Sequence, residues 1–144
     1  MRIHASCAAR PGPGGFDAVL LLGESGSGKS DLLLRLLARG WQLVADDQVI
    51  VENTLCTAPK ALAGMIEVRG LGIFRLPFVA SARLRLAVRL GRPAERLPSQ
   101  AWHEALAVPE ITLDPANPSA PERLALAFDA VTGRAEQVVG AFAE

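Results

Sequence analysis

The chain has 144 residues, half of them hydrophobic, with fifteen Lys plus Arg against fifteen Asp plus Glu. That length suits one domain with a buried core, spanning 1–144, and is short for two. A net charge of zero argues against a nucleic-acid binder with a basic face and against a polybasic membrane anchor, since both need surplus cations.

Thirteen of the cations are Arg; the only lysines are Lys29 and Lys60. The apolar run Ala18 to Leu22 is far too short to span a bilayer. The first ten residues lack the charged-then-apolar order of a signal peptide. Cys7 and Cys56 are too few for a disulfide framework or a metal site and read as buried thiols. These features point to a cytoplasmic protein.

Residues 2–7 can form a short strand, and Pro11 to Gly15 is a turn or loop made of breakers. Ala18 to Leu22 reads as a buried strand, Gly23 to Gly28 as a glycine-rich loop. Lys29 to Ala38 reads as a helix with a stripe of Leu32, Leu33, Leu36 and Leu37, stopped at Gly40. Gln42 to Ala45 is a strand ending in Asp46-Asp47. Short strands follow at 49–51, 55–57 and 66–68, with one helical turn over 59–64. Residues 84–90 alternate Leu with Arg or Ala, the pattern of a half-exposed strand. Residues 91–100 form an exposed loop, 111–113 a strand and 114–120 a Pro-rich linker. Pro121 opens a helix running to about Val131, and a last helix is expected over 135–142. This order suggests an α/β sandwich with a mixed sheet.

The segment Gly23-Glu24-Ser25-Gly26-Ser27-Gly28-Lys29-Ser30 fits Gly, four residues, Gly-Lys-Ser. Glycines let successive backbone N–H groups turn inward as an anion nest, and the following helix aims its positive end at the same phosphates. Lys29 then reaches the β and γ oxygens and the Ser30 hydroxyl meets Mg²⁺. The plain alternative is a glycine turn carrying an exposed Lys. The strand before the loop and the leucine-striped helix after it favour the phosphate reading.

Asp46 and Asp47 stand at the C-terminal end of a buried strand, the edge where ligands collect in open α/β sheets. If that strand lies beside 18–22, the pair faces a bound γ-phosphate. One carboxylate can hold Mg²⁺ or its water and the other can take a proton from an attacking hydroxyl. A solvated Asp-Asp turn is the alternative. Glu67 and Arg69, two apart on a short strand, point the same way and precede a glycine pair. There a carboxylate could complete a metal shell and an Arg could grip phosphate, or the two could be an exposed pair.

The loop, then Arg39-Gly40, Leu43-Val44-Ala45-Asp46-Asp47, Ala58-Pro59 and Glu67-Val68-Arg69-Gly70-Leu71-Gly72-Ile73, together resemble HPr kinase/phosphorylase. The spacing from the loop Lys to the Asp pair matches that family, and the stretch from Glu67 is its signature. The resemblance is strong over 18–75 and weaker elsewhere, and it covers the catalytic domain only. It implies a P-loop kinase domain, similar to phosphoenolpyruvate carboxykinase, with a mixed, mostly short-stranded sheet and flanking helices. It implies an ATP- and Mg²⁺-dependent serine kinase of the phosphocarrier HPr that can reverse the reaction with inorganic phosphate, releasing pyrophosphate. Lys29 would contact phosphates, Ser30 and Glu67 would bind Mg²⁺, and Asp47, paired with Asp46, would accept the proton. His4 fits the family's histidine that neighbours the Asp pair, and Arg96 resembles a catalytic Arg preceding a Leu. A homo-oligomer is expected, as the family forms hexamers.

Two segments depart from the family. Its glycine-rich mobile loop is shortened to Leu76–Ala80, and its downstream stretch is replaced by Asp114–Pro121. Two other readings stand beside the protein kinase. One is a small-molecule kinase, with the arginine-rich segment 83–96 as a phosphate-clamping lid. The other is a non-catalytic nucleotide-sensing regulator. No Asn-Lys-x-Asp guanine reader is present, which argues against a GTPase. The two lysines make a direct contrast. Lys29→Ala is expected to abolish ATP turnover with the fold intact by circular dichroism, whereas Lys60→Ala should turn over near the wild-type rate.

Overall fold

The computed structural model describes residues 1–143. Ten strands and two α-helices run along it, one helix after the second strand and the other after the last. They are β1 (Arg2–Gly12), β2 (Gly15–Leu22), α1 (Lys29–Leu37), β3 (Gln42–Ala45), β4 (Gln48–Glu52), β5 (Leu55–Thr57), β6 (Met65–Val68), β7 (Gly72–Arg75), β8 (Ala82–Leu90), β9 (Trp102–His103), β10 (Val108–Leu113) and α2 (Ala120–Val131). A single 3-10 turn covers Lys60–Leu62.

Eight strands form one mixed sheet, while β6 and β7 pair separately as a hairpin. β2 pairs antiparallel with β1 and parallel with β8, and β8 pairs parallel with β10. β1 also pairs with β4, β4 with β5, and β5 with β8, so the five strands close into a ring. Closure removes the open edges of those strands.

Alternation along the ring strands sorts side chains into two cores. Ala5, Cys7 and Ala9 of β1 and Ala18, Leu20 and Leu22 of β2 fill the ring with Val44, Val49, Cys56 and Leu84. Ala8, Val19 and Leu21 face outward against α1 and α2, where Leu32, Leu33, Leu36, Leu124 and Phe128 cover them. Strands buried on both faces read as continuous apolar runs, which explains the stretch 18–22. Cys7 and Cys56 are both buried and free, and burial, then the neighbouring Cys56 thiol, pushes the Cys7 thiol well above its ordinary value.

The structure corrects several expectations. Residues 11 and 12 belong to β1, and Gly12 pairs with Gly15 across the two-residue turn Pro13-Gly14. The strand at 82–90 is central, not half-exposed. Its register slips between Ala18 and Val19 of β2, so Leu84 enters the ring core and Leu86 the helix-side core. None of the arginines of that segment lines the cleft described below, and two pair with carboxylates elsewhere: Arg85 faces Asp17 at 3.4 Å and Arg89 faces Glu110 at 3.1 Å. The helix expected over 135–142 does not form. Val138 and Val139 are exposed, and a segment that short needs an apolar stripe against the core. β7 and β9 were not expected: β7 is exposed along its whole length and β9 has only two residues. Among the described residues no helix is long and apolar enough to cross a membrane.

Helix α1 ends with Trp41 N donating to Leu36 O and Gly40 N to Leu37 O, with Gly40 at φ 91°. This pair of hydrogen bonds over a left-handed glycine seats Trp41 back onto the helix end. Its indole meets the Phe128 ring edge-on at 5.0 Å, and the Arg10 guanidinium lies 4.1 Å from its ring centre. Arg10 also reaches Asp129 at 3.3 Å, so β1, α1 and α2 converge there. Removing the Phe128 ring leaves a cavity between the helices. Phe128→Ala is expected to cost about 3–5 kcal/mol by denaturant unfolding, and a loss below about 1 kcal/mol would contradict this packing.

Candidate active site

The glycine loop joins the end of β2 to the start of α1. Gly26 and Gly28 hold φ of 81° and 101°, a backbone that only glycine adopts without strain. Gly28 caps α1 with no side-chain hydrogen bond, so the first turn presents its N–H groups toward the loop. The 114–121 segment braces this turn. A Cβ on Gly28 would press on the Pro115 ring at 3.3 Å, and Arg35 from α1 donates to Pro115 O at 2.7 Å.

Lys29 folds back over the loop and donates to Gly23 O at 2.6 Å and Glu24 O at 2.8 Å. It is nearly buried. Burial lowers its pKa from the ordinary 10.5, while the charges of Asp47 and Asp46 oppose that shift.

β3 does not lie beside β2, as the sequence reading supposed. It pairs with β1, which runs antiparallel between them. Two antiparallel steps leave β2 and β3 pointing the same way, so the loop and the Asp pair still share one edge. The two carboxylates part company there. Gln48 N donates to Asp46 O at 2.8 Å across a tight turn, and Asp47 at its centre takes φ 71°. Ala5 N, donating to Asp47 O at 3.1 Å, pins this backbone. Asp46 points inward, 6% exposed, and accepts from Ser6 Oγ and Ser30 Oγ, each at 2.8 Å, and from Glu67 N at 3.3 Å. Asp47 points outward, with Oδ1 3.2 Å from His4 Nδ1. The other ring nitrogen of His4 lies 3.4 Å from Ser25 Oγ.

A cleft of about 370 Å³ opens over this arrangement, lined by His4, Ser25, Gly26, Lys29, Ser30, Asp47, Glu67 and Arg69 among others. Residues from β1, the loop, α1, the turn after β3 and the β6–β7 hairpin therefore meet around one space. Asp46 underlies it. Gly23 and Glu24 take part through their carbonyls. The Ser27 hydroxyl is buried beneath the loop, where a Cβ on Gly23 would run into it, and has no hydrogen-bond partner among the described residues. Val68 lines the cleft, Gly70 and Leu71 lie in the exposed turn beyond it, and Gly72 opens β7. Arg96 does not line the cleft; it sits in the exposed segment between β8 and β9.

Ser6 was missed from the sequence. A serine in the run Ala5-Ser6-Cys7-Ala8-Ala9 is a buried polar group that needs a partner, and that signal was available. The oxygen donors at the cleft floor suit a hard cation. Among the described residues no three acidic, His or Cys side chains stand close enough to hold a metal alone. That donor set fits Mg²⁺, which takes most of its ligands from phosphate and water.

Residues 15–82 match the family model of the HPr Serine kinase C-terminal domain. The chain is similar to HPr kinase/phosphorylase of Xanthomonas campestris pv. campestris (strain B100). The two are 40% identical over 100 residues, covering 61% of this chain and 31% of that protein. The same figures hold for HPr kinase/phosphorylase of Xanthomonas oryzae pv. oryzae (strain PXO99A). The chain thus spans about a third of the length of these curated relatives. In structure it resembles the Hpr(Ser) kinase/phosphatase from Coxiella burnetii, with a TM-score of 0.66 and 26% identity, covering 86% of this chain and 91% of that one. These matches return the family that the sequence motifs resemble.

The lowered pKa of Lys29 has a consequence for stability. The unfolded chain keeps the lysine proton to higher pH than the folded one, so this site's contribution is least favourable below the folded pKa. It improves as pH climbs toward 10.5. Urea unfolding of wild type and Lys29→Met, at neutral pH and again just below 10.5, should show the wild type gaining relative to the variant at the higher pH. An unchanged difference would contradict the burial of a charged Lys29.

Proposed function

We propose that this chain is the catalytic domain of an HPr kinase/phosphorylase, a P-loop kinase domain that transfers the γ-phosphoryl of ATP to a serine of an HPr-type phosphocarrier. The observation that carries this reading is the division of labour within the Asp pair. One carboxylate is buried and holds the Ser30 hydroxyl, while the other faces the cleft with an imidazole against it.

The loop backbone and the N-terminal end of α1 bind the β- and γ-phosphates. Lys29 leaves the carbonyls of Gly23 and Glu24 and moves to the phosphate oxygens, exchanging two weak acceptors for charged ones. Ser30 and Glu67 would hold Mg²⁺, which supplies neutralisation of charge developing on the bridging and terminal oxygens. Asp46 fixes the Ser30 hydroxyl and, through Glu67 N, the position of the β6 strand. Arg69, on the cleft wall, meets the equatorial oxygens. Asp47 receives the proton of the incoming serine hydroxyl, with His4 holding its carboxylate in place. In phosphorolysis an oxygen of inorganic phosphate attacks the phosphoserine phosphorus, the Ser Oγ–P bond breaks, the same pair returns a proton to the serine oxygen, and pyrophosphate is released.

The test is incubation of the chain with HPr, ATP and Mg²⁺. Phosphoserine should form on HPr. Asp47→Asn is expected to lower the rate by about 10²–10⁴-fold while ATP affinity stays within a few fold of wild type. No phosphorylation of HPr from the same source, with ATP demonstrably bound, would sink the proposal.

A further inference from the structure

His4 has two engaged ring nitrogens, and the role proposed above uses only one. Asp47 Oδ1 lies 3.2 Å from Nδ1 and Ser25 Oγ lies 3.4 Å from Nε2. Carboxylate, imidazole and hydroxyl in that order are the arrangement that activates a serine nucleophile, whatever the fold that carries it. Here β1 supplies the imidazole, the turn after β3 the carboxylate and the crown of the glycine loop the hydroxyl. A distance of 3.4 Å is long for a finished bond but normal for a catalytic one before its substrate arrives.

The hydroxyl is also well placed for phosphorus. Ser25 lines the cleft beside Gly26, Lys29 and Ser30, the residues of the anion nest. Ser27, the other serine inside the loop, is different: its hydroxyl is buried and out of reach. An acceptor serine from another protein would have to approach the same Asp47–His4 pair. Ser25 already holds one side of that imidazole.

We infer that Ser25 is itself a phosphoryl acceptor when no protein substrate occupies the cleft. Ser25 Oγ attacks the terminal phosphorus of a nucleoside triphosphate seated in the loop. The Oγ–P bond forms, and the bond from that phosphorus to its bridging oxygen breaks. The electron pair departs on the nucleoside diphosphate. The hydroxyl proton passes to His4 Nε2, and Asp47 holds the Nδ1–H of the imidazolium. The products are phospho-Ser25 and the diphosphate. The inference rests on reading the loop as a triphosphate site.

The experiment uses the full chain, Mg²⁺ and ATP labelled in its terminal phosphate, with no phosphocarrier added. Binding of a fluorescent ATP analogue is measured on the same samples. The chain should gain one covalent phosphoryl group, mapped to Ser25 by peptide fragmentation. Ser25→Ala should lose the label and Ser25→Thr should carry it at the same position. His4→Gln should slow labelling by about 10²–10⁴-fold. Excess HPr should suppress labelling. Analogue bound without label overturns the inference and leaves the triphosphate reading standing. Failure of the analogue to bind overturns both. Label on Ser27 or elsewhere, or label that survives Ser25→Ala, also overturns the inference.

Discussion

A buried carboxylate must find a donor for each oxygen, and Asp46 finds three. Ser6 from β1, Ser30 from α1 and the Glu67 amide from β6 all converge on it. Left unpaired, such a group would cost several kcal/mol. Paired, it ties together four segments that are far apart in the chain. The glycine loop, the Asp pair and the β6–β7 hairpin are mutually positioned by this one side chain. Two of the residues it holds, Ser30 and Glu67, line the 370 Å³ cleft. Among the described residues β6 and β7 pair with each other and with no other strand, so the hydrogen bond from Glu67 N and the buried Ile66 side chain tie the hairpin to the rest of the fold.

The sheet provides the frame within which that convergence is possible. Closing β1, β4, β5, β8 and β2 into a ring leaves β1 with both faces covered, which is why Ala5 to Ala9 are small and buried without a break. Small side chains there let α1 approach closely. The same strand carries His4 just before its buried stretch, where the side chain still reaches the cleft. A single strand therefore carries a core-facing segment, the Ser6 donor and the imidazole. The helix-side core of Trp41, Phe128 and the leucines then holds α1, and with it the loop, at a fixed height above the sheet.

The electrostatics of the site divide along the same lines. Lys29 is drawn inward against its own hydration, and the loop carbonyls supply the hydrogen bonds that water would. The Asp pair is split by a tight turn whose centre, Asp47, takes a left-handed conformation that costs on the order of 1 kcal/mol for a non-glycine residue. That strain turns one carboxylate into the protein and leaves the other facing the cleft. Two chemically identical neighbours thereby acquire separate surroundings.

Much of this was legible in the chain alone. The loop pattern, the leucine stripe of α1, the bounds of β3 and β5 and the Asp pair all follow from local spacing, because each depends on residues within one or two turns of one another. The zero net charge argued against a basic nucleic-acid face, and the phosphate reading rested instead on one glycine loop and one lysine. What local pattern could not supply was pairing. That β1 intrudes between β2 and β3, that a register slip turns β8 to serve two cores, and that residues 135–142 stay irregular are decided by contacts between distant segments. The same holds within the site. Local spacing named Asp46 and Asp47 without dividing them, and it placed Ser25 in the loop without bringing it to His4. Only the folded chain assigns them, since hydrogen-bond partners are set by which elements meet in space, and order along the chain does not carry that information.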